Sequence, residues 1–153
     1  MIHVANKEHR GKYSNARCGV FIMRHPEKYI GTMPCEFKSS LEFYFMKYAD
    51  SNPAIVQWGY ETASPIKYLD KSSNPPKVRR YYVDFVCKVR VGSQTRTVWV
   101  EIKPKSETHK PKANCSPKTM LTWVKNSCKW DAAIKLAKAK GYDFKILTEE
   151  QLV

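Results

Sequence analysis

No apolar run in this sequence is long enough to cross a bilayer, no pair of cysteines stands in a C-x-x-C arrangement, and acidic side chains number 14 against 27 basic ones. The first absence, with no strongly amphipathic basic helix to offset it, argues against a membrane partner. The second, with an odd total of five cysteines (Cys18, Cys35, Cys87, Cys115 and Cys128), argues against a disulfide framework and suits a reducing compartment. His109, Cys115 and Cys128 match no common zinc-finger spacing and lack a fourth ligand. The opening segment MIHVANKEHRGKYS has an early charge and no apolar core of signal-peptide length, so a cytoplasmic protein is expected. The shortage of acids leaves a net charge of +13, more than solubility requires, and points to a polyanion, nucleic acid ahead of membrane. A merely soluble basic protein would carry the same charge, so composition alone does not separate the two.

The length of 153 residues is that of one domain. Residues 1–37 mix Arg, Lys, His, Gly and Pro around one short apolar run, CGVFIM, and read as a basic N-terminal arm with little regular structure. FKSSLEFYFMKYADSNP predicts a helix capped by Ser39, with Leu41, Tyr44, Phe45 and Tyr48 on a buried face and Asn52-Pro53 as the stop. AIVQWGYET and PIKYL predict short strands, and DKSSNPPKVRR a turn followed by a basic connection. Five lysines and three prolines between 103 and 118 predict a mobile basic loop at about 104–126. SCKWDAAIKLAKAKGYDFKIL predicts a second helix with Ser127 as N-cap, Trp130, Ala133, Ile134 and Ala137 on one face and Gly141 at its end, then a strand from 142 to 147. A strand at 97–103, that helix and the last strand form a right-handed βαβ unit, so the class is α/β.

The stretch YYVDFVCKVRVGSQTRTVWVEIKPK, 81–105, reads as a hairpin. With Gly92-Ser93 as a Gly-first two-residue turn, residues whose numbers sum to 185 pair, which sets Asp84 opposite Glu101. Like charges there are destabilising. Alternation puts Val83, Phe85, Cys87 and Val89 on a core face with Val98, Val100 and Ile102, and leaves Asp84, Glu101 and Lys103 on an open one. Two facing carboxylates suit Mg²⁺ or Mn²⁺, with Lys103 near enough to orient a water or steady a phosphate. The alternative is a solvated face, Asp84 pairing with Arg80 or Lys88 and Glu101 with Lys103. Tyr82 and Trp99 share the charged face, either to stack on a frayed base or to cover a sheet edge. Glu42 presents a similar choice: Ser39-x-x-Glu42 is a capping-box pattern, yet the same glutamate lies beside the buried stripe and could point at Asp84.

Glu42 on a first helix, Asp84 on one strand and Glu101-Ile102-Lys103 on the next together resemble the PD-(D/E)XK nuclease superfamily. SLEFYFMKYADSNPAIVQWGYET, IKYL, KVRRYYVDFVCKV, WVEIKPKSET and KWDAAIKLAKAKGYDFKILTEEQL further resemble the head-completion nucleases of tailed phages, themselves similar to the endonuclease subunit of Tn7-like transposons. The resemblance covers about residues 38–152. It implies a restriction-endonuclease-like core, a mixed central sheet flanked by helices in one nuclease domain over 38–153, and a Mg²⁺-dependent nuclease (Mn²⁺ as a substitute) acting on packaged double-stranded DNA before head-tail joining. That places it in the host cytoplasm during phage assembly or in the virion, with neck or portal proteins as partners. By the same resemblance Glu42, Asp84, Glu101 and Lys103 are the catalytic set, Asp84, Glu101, Glu42 and the Ile102 carbonyl the metal ligands, and Lys129 a phosphate contact. Arg79, Arg80, Lys105, Lys110 and Lys112 are the expected neutralisers of flanking phosphates. Val83 stands where the superfamily name has proline. Other readings are a non-catalytic basic head or neck protein that binds DNA, and a junction-resolving or transposon-type endonuclease.

Overall fold

The structure is a computed structural model that describes residues 2–4 and 18–153. Strand β1 (Ile2–Val4) pairs antiparallel with β2 (Gly19–Phe21), which pairs with β3 (Glu36–Phe37) in a small three-stranded sheet. Helix α1 (Ser40–Ser51) follows, and the Ser39 hydroxyl accepts from the Glu42 N–H at 3.1 Å, the predicted N-cap. Next come β4 (Ile55–Tyr60), β5 (Ile66–Asp70), β6 (Lys77–Tyr81), β7 (Phe85–Val91) and β8 (Gln94–Ile102). A long helix α2 (Pro117–Lys140), strand β9 (Asp143–Leu147) and a short helix α3 (Glu149–Leu152) complete the chain.

The central sheet runs β4-β7-β8-β9, antiparallel except where β9 joins β8 in parallel after the α2 crossover. It is the mixed sheet of a restriction-endonuclease-like core. The β7–β8 hairpin has the predicted register, Val91 pairing with Gln94 and Phe85 with Val100. Gly92 sits at φ 63° while Ser93 does not share a positive φ, as a Gly-first turn requires.

Both faces of this sheet are covered. On one, Leu41, Phe45, Met46 and Ala49 of α1 meet Phe85, Cys87, Val98, Val100 and Ile102, with Phe45 and Phe85 ring centroids 4.4 Å apart. On the other, Trp130, Ala133 and Ala137 of α2 meet Trp99, Val83 and Tyr81, joined by Ile66 and Tyr68 of the β5–β6 hairpin. Each large side chain so buried contributes about 1.5–3 kcal/mol. A strand buried on both sides reads as a continuous apolar run, which is how Val98-Trp99-Val100 appears.

Several expectations are corrected here. Tyr48 is half exposed, because α1's buried stripe runs through Leu41, Phe45, Met46 and Ala49. Ile134 is also half exposed, and α2 buries Asn126, Trp130, Ala133 and Ala137 instead. That helix begins at Pro117, capped by Ser116, so residues 117–126 of the expected loop are helical; Gly141 does end it, at φ 74°. The supposed basic connection contains β6, a strand whose Lys77, Val78, Arg79 and Arg80 all face solvent and therefore show no apolar alternation. Val83 lies in the α2-side core, not with Phe85, because residues 82–84 carry the chain from one sheet to the other and break the period of two.

Residues 18–37 are likewise no arm, while residues 1 and 5–17 of that expected segment lie outside the described residues. Phe21, Cys35 and Phe37 are buried in the α1-side core, and Trp58 packs against Phe21 and Tyr29 at 6.1 and 4.7 Å. The buried Asp50 carboxylate accepts from the Arg24 and His25 N–H groups. Lys28 Nζ donates to the carbonyls of Ala49, Asp50 and Asn52 at 2.6, 3.0 and 2.9 Å, closing the C-terminus of α1. Lys28→Ala is expected to cost about 1–2 kcal/mol. In thermal denaturation that is a fall in Tm of roughly 2–8 °C at this chain length; an unchanged Tm would show that water replaces the lysine at no loss.

Candidate active site

Asp84 is the last residue before β7, one position beyond the Phe85–Val100 pair. The ladder ends at that pair, and the half-buried Asp84 side chain takes over where the strand stops: its Oδ2 accepts from the Ile102 N–H at 2.7 Å, next to Glu101 on β8. Burial pushes the Asp84 carboxyl well above the usual aspartate range, the negative charges of Glu101 and Glu42 push it further, and the Ile102 N–H and Lys103 oppose them.

Glu101 lies on the face covered by α2, only 5% exposed. The expected open charged face is thus closed, because Trp130 and its neighbours on α2 pack over Trp99 and Glu101. The Glu101 carboxylate accepts from Tyr81 Oη–H at 2.9 Å and from the Trp130 indole N–H at 3.5 Å. Trp99 is buried edge-on to Tyr142 and cannot stack on a base, whereas Tyr82 is half exposed.

Glu42 does not close a capping box onto Ser39. Its Oε1 accepts from the Lys38 N–H at 2.7 Å, one residue earlier, and both its oxygens take the Tyr60 hydroxyl at 3.2 Å. Burial raises the Glu42 carboxyl, against these two hydrogen bonds. Glu61, pairing with Lys38 at 3.1 Å, adds a further negative charge nearby. Glu61 is also the one non-glycine residue with positive φ among those described, 53°, held there by its N–H donating to the Asp84 carbonyl. Gln at position 42 keeps an acceptor for Lys38 and a partner for Tyr60. Glu42→Gln is therefore expected to leave Tm within about 2 °C, so that a tenfold or greater loss of cleavage in the same protein assigns Glu42 to chemistry and retained cleavage assigns it to the fold.

A cleft of about 240 Å³ opens at this end of the sheet, lined by Lys38, Glu42, Asp84, Ile102, Lys103 and Glu107 among others. The Lys103 N–H donates to the Leu147 carbonyl at 3.0 Å, extending the parallel β8–β9 ladder and fixing the lysine's backbone at the cleft. Of the expected set, Glu42, Asp84 and Lys103 thus line one cleft, while Glu101 stands behind Asp84 and not on the cleft wall. Tyr60, Tyr81, Lys38 and Glu61 escaped sequence reasoning, although Tyr60 and Tyr81 belong to strand-like segments where a buried tyrosine hydroxyl needs a partner.

Among the described residues no three acidic, histidine or cysteine side chains converge on a common point as a ready-made metal cage. The oxygen donors at Asp84, backed by Glu101 and Glu42 and flanked by Ile102, nevertheless fit a hard divalent cation. Mg²⁺ is commonly held by one or two carboxylates and keeps several waters.

The expected phosphate contacts divide. Arg79 Nε bonds the buried Asp70 carboxylate at 2.8 Å, and Lys105 Nζ bonds Glu150 at 2.9 Å, so both charges have partners inside the protein. Lys129 is half-buried over the Tyr81 ring at 5.6 Å; burial lowers its pKa and Glu101 opposes the shift. Arg80, Lys110 and Lys112 are exposed and form no ion pair among the described residues.

Residues 52–149 match the family described as TnsA-like endonuclease, N terminal. The chain is also 35% identical, over 147 residues, to the head completion nuclease of Enterobacteria phage T4, covering 90% of this chain and 94% of that one.

Proposed function

Because this chain belongs to the TnsA-like endonuclease family, we propose that it is a Mg²⁺-dependent DNA nuclease that processes packaged DNA during phage head completion, and that the Asp84 cleft is its active site. The observation that carries this reading is the half-buried Asp84, pressed by Glu101 and Glu42 and opening with Lys103 onto one cleft. Asp84, Glu101, Glu42 and the Ile102 carbonyl would hold the cation, which when bound supplies Lewis-acid polarisation of the scissile phosphate and a more acidic water. Lys103 orients the attacking water or offsets charge growing on the phosphate oxygens. The water oxygen bonds to phosphorus, the P–O bond to the leaving alcohol breaks, and the water's proton passes to solvent or to that alcohol. Tyr81 and Trp130 hold the Glu101 carboxylate in place, and Tyr60 does the same for Glu42.

Arg80, Lys110 and Lys112, with the net charge of +13, would bind the backbone of double-stranded DNA without reading its sequence. Residues 18–153 act as one nuclease domain in this reading, in the host cytoplasm or the virion, with neck or portal proteins as neighbours. The experiment is cleavage of linear and circular double-stranded DNA by the purified protein with Mg²⁺, Mn²⁺ or EDTA. Cutting that requires either metal is the expected result. Salt-sensitive DNA binding with no cutting under any condition would favour the structural head protein, and a strong preference for branched DNA a junction-resolving enzyme.

A further inference from the structure

We propose that a second hollow beside the cleft, between the 106–111 segment and the first half of α2, receives the base of an unpaired nucleotide in the strand being cut. This deepens the nuclease reading and rests on it: the substrate would be DNA with a frayed, single-stranded or flipped-out nucleotide next to the scissile phosphate.

The hollow measures about 280 Å³, and Glu107 stands in its wall and in that of the Asp84 cleft. The two are therefore immediate neighbours. A space at the lower end of small-ligand pockets suits one planar ring system better than a larger cofactor. Trp123 supplies an aromatic wall. It is half-buried and held edge-to-face against Trp130 at 6.0 Å and 74°, and Trp130 in turn reaches Glu101 with its indole N–H. The ring is thus fixed relative to the candidate catalytic carboxylate.

Asn126 supplies the second observation. The residue is 7% exposed, and its side chain lines the hollow and hydrogen-bonds to no other described residue. The amide opens onto the hollow and can offer a bound group both a donor and an acceptor. The edge of a nucleobase presents that pair, and its face stacks on indole. Lys118 and His109 at the rim can meet the phosphate attached to such a nucleotide.

The test is fluorescence anisotropy in EDTA with three labelled probes: a blunt duplex, the same duplex with a short adenine tail on either end, and the tailed duplex with abasic sites in place of the tail bases. The wild type is expected to prefer the base-bearing tail over the abasic tail by about 5- to 150-fold, the range for stacking one base on an aromatic side chain. Trp123→Ala and Asn126→Leu are each expected to bring that ratio close to one. Asn126→Leu keeps the branched heavy-atom shape and removes the amide's polar atoms, so it guards against a result that merely reports misfolding of Trp123→Ala. A ratio near one in the wild type, or one unchanged in both variants, overturns the base pocket. Metal-dependent cleavage of circular DNA, measured in parallel, decides the nuclease reading separately: cleavage with a ratio of one removes the pocket alone, and no cleavage with either metal removes the nuclease whatever the ratio.

Discussion

Replacing Asp84 by asparagine is expected to lower metal-dependent DNA cleavage by on the order of 10³-fold, the scale of a lost electrostatic contact to a transition state, while making the metal-free protein more stable. The two effects have one cause. Burial, Glu101 and Glu42 together hold the Asp84 carboxyl above its usual range. A carboxyl raised in the folded state contributes stability below its unfolded pKa and loses that contribution as pH rises through the folded value. At neutral pH and without a cation, the ionised group therefore weighs against folding. Asparagine carries no charge, and its carbonyl oxygen can still accept from the Ile102 N–H that Asp84 holds at 2.7 Å. Thermal denaturation in EDTA at neutral and mildly acidic pH checks this. The variant should melt higher at neutral pH, by roughly 2–4 °C for each kcal/mol relieved, and the gap should narrow as the pH falls. A variant that melts several degrees lower in EDTA would show that Asp84 is not under repulsion.

Lys103→Ala is expected to reduce the cleavage rate by about 10²–10³-fold while changing the affinity for DNA little. The reason is placement: Lys103 is anchored through its N–H to Leu147 at the mouth of the cleft, next to Asp84, whereas Lys110 and Lys112 are exposed on the surface and form no ion pair among the described residues. Single-turnover cleavage beside equilibrium binding separates the two kinds of lysine. Lys110→Ala and Lys112→Ala should each reduce the slope of log affinity against log salt by about one, weakening binding without a comparable loss in rate. Lys103→Arg should recover only a small part of the activity, because a planar guanidinium on a longer stem does not occupy the place of a compact ammonium. A Lys103→Ala protein that cuts at the parental rate under saturating DNA would remove this residue from the chemistry.

Much of the candidate site was legible in the chain because its parts are set by local rules. A Gly-first turn at Gly92-Ser93 determines a register, and that register brings Asp84 beside Glu101 and leaves Lys103 two residues further on. Ser39 announces the start of α1 and Gly141 the end of α2, since a side-chain oxygen and a left-handed backbone are needed at those ends. The solvent-facing β6 escaped notice for the opposite reason. With Lys77, Val78, Arg79 and Arg80 all exposed, no apolar alternation marks it as a strand, and its partner β5 is what makes it one.

Composition and spacing by themselves determined the basic character of the protein, the hairpin that brings Asp84 towards Glu101, the start of α1 and the end of α2. Only the tertiary structure decided that α2 covers Glu101, that Tyr81 and Tyr60 hold the two glutamates, that residues 18–37 belong to the core, and that Asn126 and Trp123 line a hollow beside the cleft. Those contacts join residues far apart in the chain, and a side chain's burial depends on what another segment lays over it. Periodicity along one strand can identify its two faces, but it carries no record of which of them will be covered.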